Sequence, residues 1–169
     1  MQRRESRADV VRRLFESHGQ AVYRYALFSL GNVADAEDVT QDVFVSALRS
    51  FNTFEGRAKE TTWLWVIARR RVLDAQNRRK RDATPVAEIR EAVGDGPDIT
   101  AHLDLLAALD ELPLVQKEVF LLRIVEDLSG EETSRITGLS HIGVRVTLHR
   151  ATKKLEALLG HPEPKTGGA

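Results

Sequence analysis

Between Ser129 and Ser140 the chain carries three pieces of helix punctuation in close succession, and they constrain the fold more than any other feature. Ser129-Gly130-Glu131-Glu132 is a capping box: the serine hydroxyl accepts from the N–H three residues on, and the glutamate accepts from the serine N–H. Gly138 supplies the left-handed residue that closes a short helix, and Ser140 is placed to cap the next one. A short helix, a glycine turn and a longer helix form the plan of a helix-turn-helix. Along the longer helix Val144, Leu148, Ala151, Leu155 and Leu158 step by four, three, four and three, which predicts an inward stripe. His141, Arg145, His149 and Lys153 share the opposite face.

The rest of the chain reads as helix too, with no alternating strand pattern and no internal repeat. From Val11 to Leu30 the apolar residues recur at helical spacing. After Gly31-Asn32, Asp35 is placed as the N-cap of a second helix, with Glu37 and Asp38 where the helix dipole favours anions. Val39, Val43, Phe44, Ala47, Leu48 and Phe51 form its expected buried stripe, while Asp38, Gln41, Asp42 and Arg49 share another face. Asn52 to Lys59 reads as a loop, and a third helix is expected from about Thr61 to Arg79. That helix opens on Trp63-Leu64-Trp65 and turns basic, with seven cations between Arg69 and Arg81 against one carboxylate, Asp74. Its second half faces a polyanion or solvent.

Residues 82–101 hold Pro85, Pro97, Gly94 and Gly96 with little periodicity, and read as a flexible linker. From Asp82 to Glu111 eight carboxylates stand against Arg90 alone, a charge suited to threading a basic channel. A second helical region begins near His102, and Pro113 breaks one helix and starts another. The expected architecture is all-α: two small helical domains, 8–81 and 102–160, for which two compact cores are possible, a flexible linker at 82–101 and a disordered tail at 161–169.

Composition narrows the function classes. With no cysteine there is no disulfide, thiol nucleophile or cysteine-held metal, and no apolar run is long enough to cross a bilayer. The charged amino terminus lacks the apolar core of a secretory signal, so a cytoplasmic location without membrane insertion is expected. No glycine-rich phosphate loop and no catalytic constellation is marked by motif, and neither an enzyme activity, a cofactor nor a bound metal is expected. His141 and His149 lie two turns apart with no third ligand evident, and read as solvated or DNA-facing rather than as metal ligands.

Two strings in order carry a family resemblance. The first is Gly31-Asn32, Asp35-Ala36-Glu37-Asp38-Val39-Thr40-Gln41-Asp42-Val43-Phe44, Phe54-Glu55-Gly56, Thr62-Trp63-Leu64 and Ile67-Ala68-Arg69. The second is Leu112-Pro113, Gln116-Lys117-Glu118-Val119, Leu128-Ser129, Glu131-Glu132, Gly138-Leu139-Ser140 and Leu148-His149-Arg150-Ala151. Over about residues 10 to 160 the chain resembles the extracytoplasmic-function sigma factors of bacterial RNA polymerase, region 2 in the first string and region 4 in the second.

The resemblance implies a three-to-four-helix region 2 bundle, a region 4 helix-turn-helix, and a role in starting transcription of a specific gene set. It implies contacts to core RNA polymerase through Asp35, Asp38, Gln41, Asp42 and Phe44. It implies contacts to the single-stranded minus-10 element through Asn52, Phe54, Arg57, Lys59, Trp65, Arg69, Arg70, Arg78 and Arg79, with capture of a flipped base by the 54–59 loop. Trp63, beside Leu64 and Ile67, reads as core; Trp65 stays open between core and DNA. For the double-stranded minus-35 element the implied contacts are Ser140, His141, Arg145, His149, Arg150 and Lys153, with Arg145 suited to guanine. An anti-sigma protein is an implied partner as well.

Departures from the family pattern at Glu60, Arg70, Thr133-Ser134, Gly143, Val146 and Thr147 bear on which promoter is read. Two rival readings are a helix-turn-helix regulator acting without polymerase and a helical adaptor that binds only protein. The first leaves the amino-terminal half unexplained, and the basic helix argues against the second.

Overall fold

A computed structural model describes residues 5–54, 56–79 and 99–160. The linker expected at 82–101 lies almost wholly outside these residues, as does the tail expected at 161–169. Among the described residues there are seven α-helices and no strand.

Helix α1 (Arg7–Leu30) starts four residues before the apolar periodicity does, because Ser6 and Asp9 form a capping box that the sequence reading overlooked. Gly31, at φ 67°, ends it. Helix α2 (Val33–Ser50) is capped by Asn32, not Asp35: the Asp35 N–H donates to the Asn32 side chain at 2.9 Å. Gly31 reverses the chain so abruptly that the next residue is already extended, which leaves Asp35 in the first helical turn. A 3₁₀ turn (Phe51–Thr53) leads through the loop to α3 (Glu60–Arg79). These three helices pack around Val22, Tyr25, Ala26, Val43, Ala47, Leu64, Trp65 and Ala68. Leu48, expected in this stripe, is exposed, and Phe51 is half-buried where the helix gives way to the turn.

The second half comprises α4 (Ile99–Asp110), α5 (Leu114–Phe120), α6 (Gly130–Thr137) and α7 (His141–Leu159). Pro113 stands at the N-cap of α5, where its missing N–H costs nothing. A π-helical turn (Leu121–Val125) follows, closed by the Glu126 N–H donating to the Leu121 carbonyl at 2.9 Å. The capping box at Ser129 forms as read, Gly138 takes φ 76°, and the Ser140 hydroxyl accepts from the Gly143 N–H at 3.0 Å. Val144, Ala151 and Leu155 are buried; Leu148 is half-buried, and Leu158 is exposed in the last turn of α7.

The buried residues of the two halves meet. One continuous cluster runs from Val10 through Trp65 to Leu122, Ile136 and Leu155. Helix α6 packs on α3, and the π-helical turn meets α1. Ion pairs join the halves as well. Arg24 grips Glu126 through two bonds of 2.9 and 2.8 Å, and that carboxylate side chain is 2% exposed. Arg69 binds Glu118 through Nε and Nη2, and the buried Lys117 ammonium lies between the Asp110 carboxylate at 2.7 Å and the Ser29 carbonyl at 3.5 Å.

Candidate nucleic-acid interface

The loop after α2 builds an aromatic pocket. Phe51, Phe54 and Trp63 form a cluster with ring centroids 5.1 to 6.3 Å apart. Beside it lies a recess of about 310 Å³ lined by Thr53, Phe54, Arg57, Ala58, Thr62, Trp63, Val66 and, from α6, Arg135. The Thr62 side chain is buried, and its hydroxyl has no hydrogen-bond partner among the described residues. Half-buried ring faces beside a cation can receive a planar ring with a polar edge. Asn52 and Lys59 are exposed in the same loop. Gly56, at φ 69°, makes the turn that brings Arg57 back to the recess.

The structure separates the two tryptophans. Trp65 is 2% exposed and meets Tyr25 edge-on at 5.5 Å, so it belongs to the core and not to a DNA surface. Trp63 is the half-buried ring at the recess. Helical geometry decides this: Trp65 falls with Ala68 and Val72 on the face turned inward, whereas Trp63 shares its edge with Val66 and Arg70.

The basic stretch of α3 also divides. Arg70 is exposed one turn beyond Val66 and continues the recess face. Arg69, expected on DNA, is committed to Glu118. Arg71 donates to Ser46 at 3.0 Å and pairs with Asp74. Arg78 lies over α2, lining a groove of about 350 Å³ with Asp35, Asp38, Val39, Gln41, Asp42 and Ala75. The Arg79 side chain lies outside the described residues.

That groove collects all four polar residues expected to meet polymerase. Phe44, the fifth, is 8% exposed and packs edge-on against Phe15 at 5.0 Å, so it supports α1 and α2 from beneath. Asp38, Gln41 and Asp42 are exposed and follow one another around a single face of α2.

Between His141 and Lys153 of α7 the exposed residues are His141, Ile142, Arg145, Val146, His149, Arg150 and Lys153. The structure thus brings the expected cations and histidines together, and Ser140 acts as the cap that sets the start of the helix. It adds Ile142, which the sequence did not single out, and places Val146, one of the departures from the family pattern, on the same outward surface.

Burial raises the Glu118 carboxyl above its ordinary range, partly offset by Arg69. At the start of α6 the backbone hydrogen bond from Ser129 holds Glu132 below the carboxylate range, and Lys59 of the recess loop adds to the lowering. Among the described residues no helix is long and apolar enough to cross a membrane.

Comparison with known proteins places this geometry. Residues 14–82 match the family model for Sigma-70 region 2, and residues 102–155 match that for Sigma-70, region 4. A chain holding both regions in this order is of the sigma-70 class. It is similar to the ECF RNA polymerase sigma factor SigX of Bacillus subtilis (strain 168), 30% identical over 154 residues that cover 84% of this chain and 79% of that protein. It is also similar to the RNA polymerase sigma factor CarQ of Myxococcus xanthus, 32% identical over 169 residues covering 95% of each. The chain belongs to the extracytoplasmic-function RNA polymerase sigma factors, alternative sigma factors that initiate transcription with RNA polymerase. Among solved structures, CnrH in complex with the cytosolic domain of CnrY has a TM-score of 0.68 and 26% identity, covering 88% of this chain and 86% of that one. RpoE in complex with the anti-sigma factor NepR from Bartonella quintana reaches 0.71 at 21% identity, covering 88% and 95%, a likeness of fold alone.

Proposed function

We propose that the residues divide the work of promoter selection among three surfaces. The acidic face of α2, with Asp35, Asp38, Gln41 and Asp42, docks on a basic surface of core RNA polymerase. The recess of Phe54, Arg57, Thr62 and Trp63 receives a base flipped from the single-stranded minus-10 element, with Asn52, Lys59 and Arg70 near the backbone. The exposed face of α7 enters the major groove of the minus-35 element, where Arg145 is suited to guanine and His141, His149, Arg150 and Lys153 flank it. The observation that carries this reading is the recess itself, in which the half-buried Phe54 and Trp63 rings stand beside the exposed Arg57.

The packing of the two halves bears on when this happens. Elements centred about 25 base pairs apart lie about 85 Å apart along B-DNA at about 3.4 Å per pair. With α6 on α3, one chain cannot reach both. The described arrangement is therefore that of the chain off the promoter, and polymerase binding separates the halves. An anti-sigma protein would fit the same reading by holding them together.

The test is transcription from a randomised promoter library by sigma-free core polymerase supplied with the purified chain. Transcripts sharing an element at minus 10 and another at minus 35 are expected. Stable core binding without specific transcripts would overturn the promoter assignment. Specific DNA binding without core would overturn the polymerase assignment.

A further inference from the structure

Ile142 is the most exposed large apolar side chain among the described residues, at 73%, and Val146, one helical turn on, is 41% exposed. Scattered apolar residues on a surface need no explanation. These two are not scattered: they alternate with Arg145 and His149 on the outward face of α7, in the first two turns after the Ser140 cap. In a helix-turn-helix those turns are the ones that meet base edges.

We infer that Ile142 and Val146 read the C5-methyl groups of thymines in the minus-35 element. The inference rests on α7 being the recognition helix and adds to that reading a class of base and two specificity-determining residues. In the major groove thymine alone of the four bases presents a methyl group, and apolar side chains recognise it by contact. Side chains one turn apart on a helix stand about 5 to 6 Å apart, close to two base-pair steps. Arg145 lies between them in sequence, so the guanine it is suited to read falls within a step or two of both thymines. A charged or amide side chain at 142 or 146 would hydrogen-bond in the groove. Two β-branched hydrocarbons cannot, and their few rotamers hold the methyls in place with little entropy to lose.

The experiment uses the holoenzyme and the promoter it selects from a randomised library. Each thymine of the selected minus-35 element is replaced singly by deoxyuridine, which removes the methyl and leaves every hydrogen-bonding group. At two positions the replacement is expected to weaken promoter binding about threefold to fivefold, the worth of one buried methyl. Ile142→Ala and Val146→Ala should each bind the thymine promoter more weakly by a similar factor and become indifferent to deoxyuridine at one of the two positions. Arg145→Ala should lose guanine selectivity and keep both deoxyuridine effects. Variants as sensitive to deoxyuridine as the parent, or an element without thymine beside the Arg145 guanine, would overturn the inference. Selection of no upstream duplex element would instead overturn the recognition-helix reading beneath it. All three residues are exposed, so unchanged thermal melting checks that the variants fold.

Discussion

The Arg69 guanidinium on α3 and the Glu118 carboxylate on α5, 49 positions apart in sequence, form an ion pair across the boundary between the region 2 and region 4 segments. Their side chains are 29% and 10% exposed, so the pair is largely withdrawn from water. Burial raises the Glu118 pKa despite Arg69, so desolvation outweighs the attraction there. The two partners are therefore unequal under mutation. Arg69→Ala strands a buried carboxylate and should cost about 3 kcal/mol. Glu118→Gln keeps the shape, relieves the desolvation and should stay within about 1 kcal/mol of the parent. Urea unfolding of the three proteins measures both, and equal losses would refute the asymmetry.

The acidic groove on α2 predicts a change in binding without a change in fold. Asp38→Lys and Asp42→Lys lie on an exposed face and should alter stability by no more than about 0.5 kcal/mol. Each should weaken association with core polymerase about tenfold at low salt and less at high salt, where the surface field is screened. Titration of labelled chain with core at two ionic strengths reads the effect.

The two tryptophans give opposite signatures. Trp63→Ala should weaken binding of a single-stranded minus-10 oligonucleotide by holoenzyme by about 1 to 3 kcal/mol, the value of a base–aromatic stack. Trp65→Ala empties a space beside Tyr25 and should lower stability by about 3 to 5 kcal/mol. Melting curves and oligonucleotide affinity, taken together, separate them; a stable Trp65→Ala would contradict the core placement.

Glu132 links α6 to pH. Its carboxylate accepts from the Ser129 N–H at 2.8 Å and has a lowered pKa, so its contribution is present above the ordinary carboxylate value and disappears as pH falls through the lowered one. Glu132→Gln should be less stable than the parent at pH 7 by about 0.5 to 1 kcal/mol. The gap should close in acid, and thermal melts at pH 7 and about pH 3 test the sign.

Helix existence was legible because caps and periodicity agree: the Ser129 box, Gly138, Ser140 and Pro113 all stand where the pattern puts them. What local pattern could not supply was partnership across the chain. Nothing near Arg69 in sequence distinguishes it from Arg70, yet one meets Glu118 and the other faces outward. The same holds for Trp65, whose inward direction depends on Tyr25 of another helix. Asp35 lost the cap to Asn32 because two good capping residues stood close together and the backbone at Gly31 chose between them. The continuous core was hidden for a like reason, since each half carries enough apolar stripe to suggest a core of its own.

Arg135 of α6 lines the recess that also holds Phe54 and Trp63, so under the role proposed for that recess a promoter base entering it would meet the chain's own first helix-turn-helix helix. Competition of this kind acts as a population factor. If the open form were about one molecule in a hundred, the free chain would bind the minus-10 strand about a hundredfold more weakly than the open form does. On that reading a partner that holds the halves apart would restore the factor without touching the base, and discrimination against stray single strands would reside in the closed chain.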